Sequence, residues 1–166
     1  MNYHKIEKFS VENGNGIRVV LWISGCSLHC RGCQNPHTHS FKSGKLFDEA
    51  AKQELFEALD KPYIQGITFS GGHPLEPENV EEVISLAREI KEKFPTKDIW
   101  LYTGYLWEEI YYKQIARILL YIDVLIDGEF IEEQKDLTLL WRGSSNQRVI
   151  DVQESLKKGG IILYCN

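Results

Sequence analysis

Short apolar runs recur along the chain and alternate with stretches in which hydrophobic residues follow helical spacing. Most of the runs lack the apolar–polar alternation of a half-exposed strand, so they predict strands that are buried on both faces. The runs are IRVVLWI at 17–23, GITFS at 66–70, IWLY at 99–102, DVLID at 123–127, QRVID at 147–151 and IILYC at 161–165.

Helices are predicted between these runs, where apolar residues recur three and four positions apart. One follows Asp48, a residue type that caps helix N-termini, and a second follows Pro77. A third covers residues 110–122, and a short fourth runs from Asp151 to the glycines at 159–160.

Strands and helices therefore alternate, and repeated βα units with right-handed crossovers give a parallel sheet. Such a sheet is either doubly wound or curved into an open barrel. We favour an α/β fold with an open partial (β/α) barrel of about six mainly parallel strands, too few to close like the eight-stranded form. Residues 1–166 are expected to form a single domain, and the segment at 129–143 is expected to be a loop or a short helix.

Composition narrows the classes of function. The chain has 166 residues, 43% of them hydrophobic, which suffices for one core. Its 19 Lys and Arg against 24 Asp and Glu give a net charge of -5, which argues against a nucleic-acid partner. The N-terminus does not resemble a secretory signal, and no apolar run approaches the roughly 18 residues that span a bilayer. We expect a cytoplasmic protein without a membrane partner.

Three cysteines are the main candidates for chemistry. Cys26, Cys30 and Cys33 lie in GCSLHCRGCQNP, directly after the first apolar run, so they follow the C-terminal end of a strand, where parallel sheets place ligands. This C-x3-C-x2-C spacing suits a metal better than a disulfide framework. Three thiolates can hold three corners of a 4Fe-4S cube, which leaves one iron open to a substrate or cofactor.

Other interpretations of the cysteines stay open at this point. A structural zinc site needs four ligands, and His29, His37 and His39 could contribute to one. A non-catalytic iron–sulfur carrier is a further alternative. Cys165 could be a fourth thiolate, although a small buried or fraying thiol at the end of the last strand is the simpler interpretation.

The cysteine loop and a second motif together resemble the radical S-adenosylmethionine superfamily. The second motif is SGGHP at 70–74, which follows the next strand and is similar to the GGEP-like turn of that superfamily. Three further segments, YTGY at 102–105, VLIDGEF at 124–130 and WRGSSNQRVID at 141–151, narrow the resemblance to the activating proteins of anaerobic (class III) ribonucleotide reductases. It extends over nearly the whole chain.

The resemblance implies a 4Fe-4S cluster on Cys26, Cys30 and Cys33, with S-adenosylmethionine on the fourth iron. Residues around these motifs are then expected to contact the S-adenosylmethionine. They are Gly32, Gln34, Ser70, Gly71, Gly72, His73, Asp127 and Glu129. Two of them depart from the superfamily pattern: Gly32 replaces a frequent aromatic residue, and His73 replaces the acidic residue of GGEP. We therefore expect Gly32 and Gln34 to act through their backbone.

The implied activity is that of an enzyme, an oxidoreductase that cleaves S-adenosylmethionine reductively and generates a glycyl radical on its partner. The expected partners are the anaerobic ribonucleotide reductase and an electron donor of the flavodoxin or ferredoxin type. The reductase is expected to dock at the mouth near the cluster, with Trp141, Arg142 and the GSSNQR segment at 143–148 as contributors. The main alternative is a small radical enzyme that acts on a free metabolite, similar to 7-carboxy-7-deazaguanine synthases.

Overall fold

The computed structural model describes residues 1–165, which form eight strands, four α-helices and three short 3-10 helices. The strands are β1 (Asn2–Ser10), β2 (Arg18–Ile23), β3 (Lys45–Leu46), β4 (Gly66–Gly71), β5 (Asp98–Tyr102), β6 (Val124–Asp127), β7 (Arg148–Asp151) and β8 (Leu163–Cys165). The α-helices are α1 (Glu49–Leu59), α2 (Val80–Lys93), α3 (Trp107–Tyr111) and α4 (Val152–Lys158). The 3-10 helices are Pro36–Thr38, Gln114–Leu120 and Glu132–Gln134.

All eight strands join one mixed sheet in the order β3-β1-β2-β4-β5-β6-β7-β8. The four central strands, β2, β4, β5 and β6, are parallel and follow chain order. The outer strand pairs are antiparallel on both sides. The α/β class is therefore confirmed, whereas the expectation of about six mainly parallel strands is wrong.

Two features of the chain explain why the sheet has an unpredicted antiparallel strand, β1, and why the predicted strand β7 is antiparallel. β1 has only a sparse apolar pattern, NYHKIEKFS, so it lacks the continuous hydrophobic run that marks a strand buried on both faces. β7 follows β6 without a crossover helix, because residues 128–147 contain only the 3-10 helix Glu132–Gln134. A parallel neighbour requires a long crossover, so β7 returns beside β6 in the antiparallel direction.

The helices cover one face of the sheet. Because each parallel strand is added on the same side of the previous one, right-handed crossovers bring their connecting helices to a common face. Alternate strand residues, such as Leu21, Phe69 and Leu101, join the helices in one large core. The intervening residues, such as Trp100 and Ile126, point to the opposite face and pack in a second, smaller cluster.

The helix signals in the sequence are mostly confirmed. Asp48 accepts a hydrogen bond from the Ala51 amide at 2.9 Å, and Asp151 caps α4 in the same way. Gly159 ends α4 with a φ of +69°, a left-handed conformation that glycine adopts without strain. The predicted third helix is instead split into α3 and the 3-10 helix Gln114–Leu120, with an extended residue at Lys113 between them.

Among residues 1–165, no helix is long and apolar enough to cross a membrane.

Candidate functional site

The cysteine loop leaves the C-terminal end of β2 and is fixed to neighbouring backbone from its first residues. The amide of Gly25 donates to the Thr38 carbonyl at 2.7 Å, and the Cys26 amide donates to the His39 carbonyl at 3.0 Å. Gly25 has a φ of +100°, and a Cβ there would lie 2.3 Å from the Phe41 ring. The loop therefore requires glycine at this position.

Nearby backbone amides affect the thiols of all three cysteines in the triplet. Burial raises the pKa of the Cys26 thiol, and hydrogen bonds from the amides of Leu28 and His29 oppose that rise. Burial also raises the pKa of Cys30, where the amide of Phe130 has the opposing effect. The Asn35 amide donates to Cys33 Sγ at 3.4 Å. Amide donors of this kind stabilise sulfur ligands and help to set the potential of an iron–sulfur cluster.

Within residues 1–165, no three His, Cys, Asp or Glu side chains converge as the ligands of a single metal ion. A 4Fe-4S cube does not require such convergence, because each thiolate binds a different iron atom. All four cysteines are free thiols. Cys165 lies on the edge strand β8, where it packs against the Trp100 cluster.

One cavity of about 440 Å³ lies at the C-terminal ends of the parallel strands, and all three loop cysteines line it. The inward-facing strand residues Trp22, Ser70 and Tyr102 form part of its wall. Its volume lies in the range of sites that hold ligands of drug size. Thiols and a backbone-rich wall thus face one space that is large enough for a nucleoside-containing cofactor.

The structure gathers six of the eight residues that the sequence predicted as contacts for S-adenosylmethionine. The six that line the cavity are Gln34, Ser70, Gly71, Gly72, His73 and Glu129. Gly32 and Asp127 are not part of the lining. Gly32 is exposed, with a φ of +71°, and packs so closely on Glu132 that a Cβ would lie 2.8 Å from its carboxyl group.

Asp127 is fully buried beneath the rim of the cavity. Its carboxylate accepts hydrogen bonds from the Trp107 amide at 2.8 Å and from Arg148 Nε at 3.0 Å. Hydrogen bonds to Asp127 and Glu108 raise the pKa of the Arg148 guanidinium. Asp127 therefore fixes the end of β6 against α3 and β7.

The glycine turn after β4 lies directly against the cysteine loop. The Gly72 amide donates to the Ile23 carbonyl at 2.7 Å, and the His73 amide donates to the Gly25 carbonyl at 2.8 Å. A Cβ on Gly72 would lie 2.5 Å from the Gly25 oxygen. Real Cβ atoms do not approach backbone so closely, so glycine at this position lets the two motifs meet.

The WRGSSNQR segment closes the far side of the cavity, and Trp141, Arg142, Gly143 and Gln147 line it. The side-chain oxygen of Gln147 accepts from the Gly143 amide at 2.9 Å, and its amide nitrogen donates to the Gly128 carbonyl at 2.9 Å. Arg142 donates to the Gln147 carbonyl at 2.8 Å. Much of the polar character of this segment thus serves to hold the loop to the end of β6.

Several residues at the site were not predicted from the sequence. Glu76 and Asn79 are almost fully buried next to the cysteine loop, and Thr103 is buried beside His73. Asn79 Nδ2 donates to the Ser24 carbonyl at 3.0 Å. The signal that could have drawn attention to this segment is two polar residue types, Glu and Asn, shortly after the glycine turn in GGHPLEPEN.

The chemistry of the donor set fits a 4Fe-4S cluster with a bound cofactor. The three thiols line the cavity together with the side-chain-free turn at Gly71 and Gly72, which is hydrogen-bonded to the start of the cysteine loop. This turn leaves backbone groups accessible to a polar ligand. The exposed carboxylate of Glu129 lies on the rim.

Known proteins that resemble this chain in sequence also point to an iron–sulfur site. The family model described as "4Fe-4S single cluster domain" matches residues 12–150. Two curated relatives are each 47% identical over 149 residues: one from Haemophilus influenzae covers 89% of this chain and 96% of its own length, and one from Enterobacteria phage T4 covers 90% and 93%. A third, from Escherichia coli K12, is 42% identical over 151 residues, 90% of this chain and 97% of its own. All three are named anaerobic ribonucleoside-triphosphate reductase-activating protein.

Proposed function

We propose that this chain activates an anaerobic ribonucleotide reductase as a radical S-adenosylmethionine enzyme. The chain belongs to the family of anaerobic ribonucleoside-triphosphate reductase-activating proteins and has a 4Fe-4S single cluster domain. One observation carries the proposal beyond the names of the relatives. Three cysteines of a single loop share a cavity with the glycine turn of the neighbouring strand.

In this proposal Cys26, Cys30 and Cys33 hold a 4Fe-4S cluster by three of its irons. When bound, the cluster and S-adenosylmethionine supply a one-electron reductive cleavage whose radical product takes a hydrogen atom from a glycine of the reductase. The chain itself positions these groups and excludes water. Cys26, which is 8% exposed, provides the deepest anchor, and the other two thiols lie nearer the surface.

The cofactor contacts proposed here follow the lining of the cavity. The turn Ser70–Gly72 and Gln34 present backbone groups, while Glu129 offers a carboxylate at the rim. Two proposed residues lie outside this lining: Gly32 contributes through its backbone, and Asp127 acts through the end of β6 that it fixes. His73 is buried and hydrogen-bonded to protein on both ring nitrogens, so its contribution is to hold the turn.

The sheet is proposed to be a partial barrel of the radical S-adenosylmethionine type. The helices pack on one face, and the opposite face surrounds the cavity. The mouth is the proposed docking surface for the glycine-containing segment of the reductase. Leu139 and Trp141 line the cavity there, while Leu137 and Leu140 of the same loop are 84% and 60% exposed.

The remaining partners follow from the chemistry of the reaction. A 4Fe-4S cluster that reduces a sulfonium needs a potential near the low end of the range for such clusters, so we propose a flavodoxin- or ferredoxin-type electron donor. We propose that the reaction takes place in the cytoplasm, because thiols stay reduced there.

The test is anaerobic reconstitution of the full chain with iron and sulfide, followed by reduction and addition of S-adenosylmethionine with and without the reductase. Iron content, 5'-deoxyadenosine and the glycyl-radical electron paramagnetic resonance signal are measured. Cys33→Ser is expected to abolish cofactor cleavage. Cys165→Ser is the matched control, because Cys165 packs in the Trp100 cluster, and it should retain activity.

Each other result contradicts a specific part of the proposal. Zinc in place of iron in anaerobically purified protein would exclude every radical mechanism. Cleavage of the cofactor without any glycyl radical would favour an enzyme that acts on a free metabolite. Full activity of Cys33→Ser would contradict the proposal that Cys33 is one of the three cluster ligands.

A further inference from the structure

Glu76 is a buried carboxylate for which the proposed reaction assigns no role. It lies between the glycine turn and α2, and it is 3% exposed. Its Oε1 atom accepts hydrogen bonds from the Ser27 amide at 2.7 Å and from the Ser27 hydroxyl at 2.8 Å. Ser27 directly follows Cys26, so Glu76 holds the cysteine loop at its first sulfur ligand.

The same oxygen atom also contacts His73. His73 Nδ1 lies 3.2 Å from Glu76 Oε1, and His73 Nε2 lies 2.8 Å from Thr103 Oγ1. Thr103 Oγ1 in turn accepts from the Tyr105 amide at 3.1 Å. Together these contacts connect the end of β5, the glycine turn and the cysteine loop.

The direction of these hydrogen bonds follows from the protonation of the groups. Burial lowers the pKa of His73, which favours the neutral ring, although Glu76 opposes this effect. Burial by itself would raise the pKa of Glu76, but the Ser27 amide and hydroxyl, together with His73, lower it overall. An ionised carboxylate only accepts, so His73 Nδ1–H donates to Glu76 and the Thr103 hydroxyl donates to His73 Nε2.

We infer that Glu76 is a positioning residue that sets the cysteine loop against the glycine turn, with His73 as its hydrogen-bond partner. This inference rests on the proposed function. Position 73 holds a histidine where the GGEP-like motif has an acid, and the structure supplies a carboxylate from position 76 beneath the same turn. The positioning depends on Glu76 Oε1 as a hydrogen-bond acceptor, because the contacts of Ser27 and His73 all end on this atom.

The test compares replacements that separate the position of the acceptor from its charge. Glu76→Gln keeps an oxygen at the same distance from the backbone, whereas Glu76→Asp keeps the charge but withdraws it by one methylene. Glu76→Leu removes both. Glu78→Leu is the matched control, because Glu78 is exposed and lies two residues further on in the same segment.

Two measurements are made on each variant. On the metal-free protein, hydrogen exchange of the Ser27 amide reports the contact directly. On the reconstituted protein, the dissociation constant of S-adenosylmethionine is measured from the change in the electron paramagnetic resonance spectrum of the reduced cluster. Losing a residue that orients metal ligands commonly costs about 10- to 100-fold in affinity or activity.

In Glu76→Asp and Glu76→Leu we expect faster hydrogen exchange of the Ser27 amide and at least about tenfold weaker cofactor binding. Glu76→Gln and Glu78→Leu should stay close to the parent chain in both measurements. If Glu76→Leu does not fold, the comparison of Asp with Gln decides. Equal values for Glu76→Asp and Glu76→Gln, or for Glu76→Leu and Glu78→Leu, would overturn the inference. Failure of the proposed function is a different outcome, because the parent chain itself would then neither bind nor cleave the cofactor.

Discussion

Replacing Arg18 by methionine is predicted to destabilise the fold strongly without altering the site. Arg18 is fully buried at the start of β2, on the face of the sheet that carries Trp100. Its Nε donates to Thr68 Oγ1 at 2.9 Å, and its Nη2 donates to the Ile67 carbonyl at 2.8 Å and lies 2.6 Å from Asp98 Oδ1. The guanidinium also lies 5.0 Å from the centre of the Trp100 ring.

The size of the effect follows from opposing contributions. Removing one partner of a buried ion pair costs about 3–5 kcal/mol. Asp98 remains 27% exposed, so water partly solvates the carboxylate that is left. Methionine also recovers some apolar packing beside Trp100. We expect a net loss of about 3 kcal/mol, which lowers Tm by roughly 6–12 °C in a chain of this length.

The assay is thermal unfolding of the metal-free protein, followed anaerobically by far-ultraviolet circular dichroism. Arg117→Met is the matched control, since Arg117 is half exposed and its ion pair with Glu81 lies on the surface. Exposed pairs contribute little, so that variant should stay within about 0.5 kcal/mol of the parent chain.

A second measurement separates the fold from the site. Arg18 lies at the opposite end of β2 from Cys26, so the folded fraction of Arg18→Met should bind iron as the parent chain does. A Tm shift no larger than that of Arg117→Met would refute the energetic reasoning. Loss of iron binding in fully folded Arg18→Met would show that the two ends of the strands are coupled.

Two further substitutions test the walls of the cavity. Gly72→Ala places a methyl group 2.5 Å from the Gly25 oxygen, so we expect a loss of about 1–3 kcal/mol and less iron per chain, checked by urea unfolding and iron analysis. Gly160→Ala, with no atom within 4 Å of the added group, is its control, and equal behaviour of the two would contradict the close approach. Arg142→Ala is expected to weaken reductase binding and lower the glycyl-radical yield several-fold while cofactor cleavage persists, because Arg142 lies at the mouth. Reductase binding and the electron paramagnetic resonance signal of the glycyl radical are measured. If both match the parent chain, Arg142 has no docking role.

The sequence alone determined the features that depend on neighbouring residues. The apolar runs located the parallel strands because burial on both faces leaves a continuous hydrophobic pattern. Asp48 and Asp151 marked helix starts because the capping contact spans only three residues. The cysteine triplet could be recognised as a candidate cluster site because its three thiols lie on one short loop, and its position after β2 is confirmed.

The tertiary structure alone decided which distant polar groups meet. Glu76 contacts Ser27 across 49 positions, and Arg18 contacts Asp98 across 80. Asp127 is paired with Arg148 across 21 positions. Local patterns do not contain these partners, because a buried polar side chain is satisfied by whatever the sheet order brings beside it. That order, including the antiparallel return of β7, depends on which connections form crossovers, and so on packing over the whole chain.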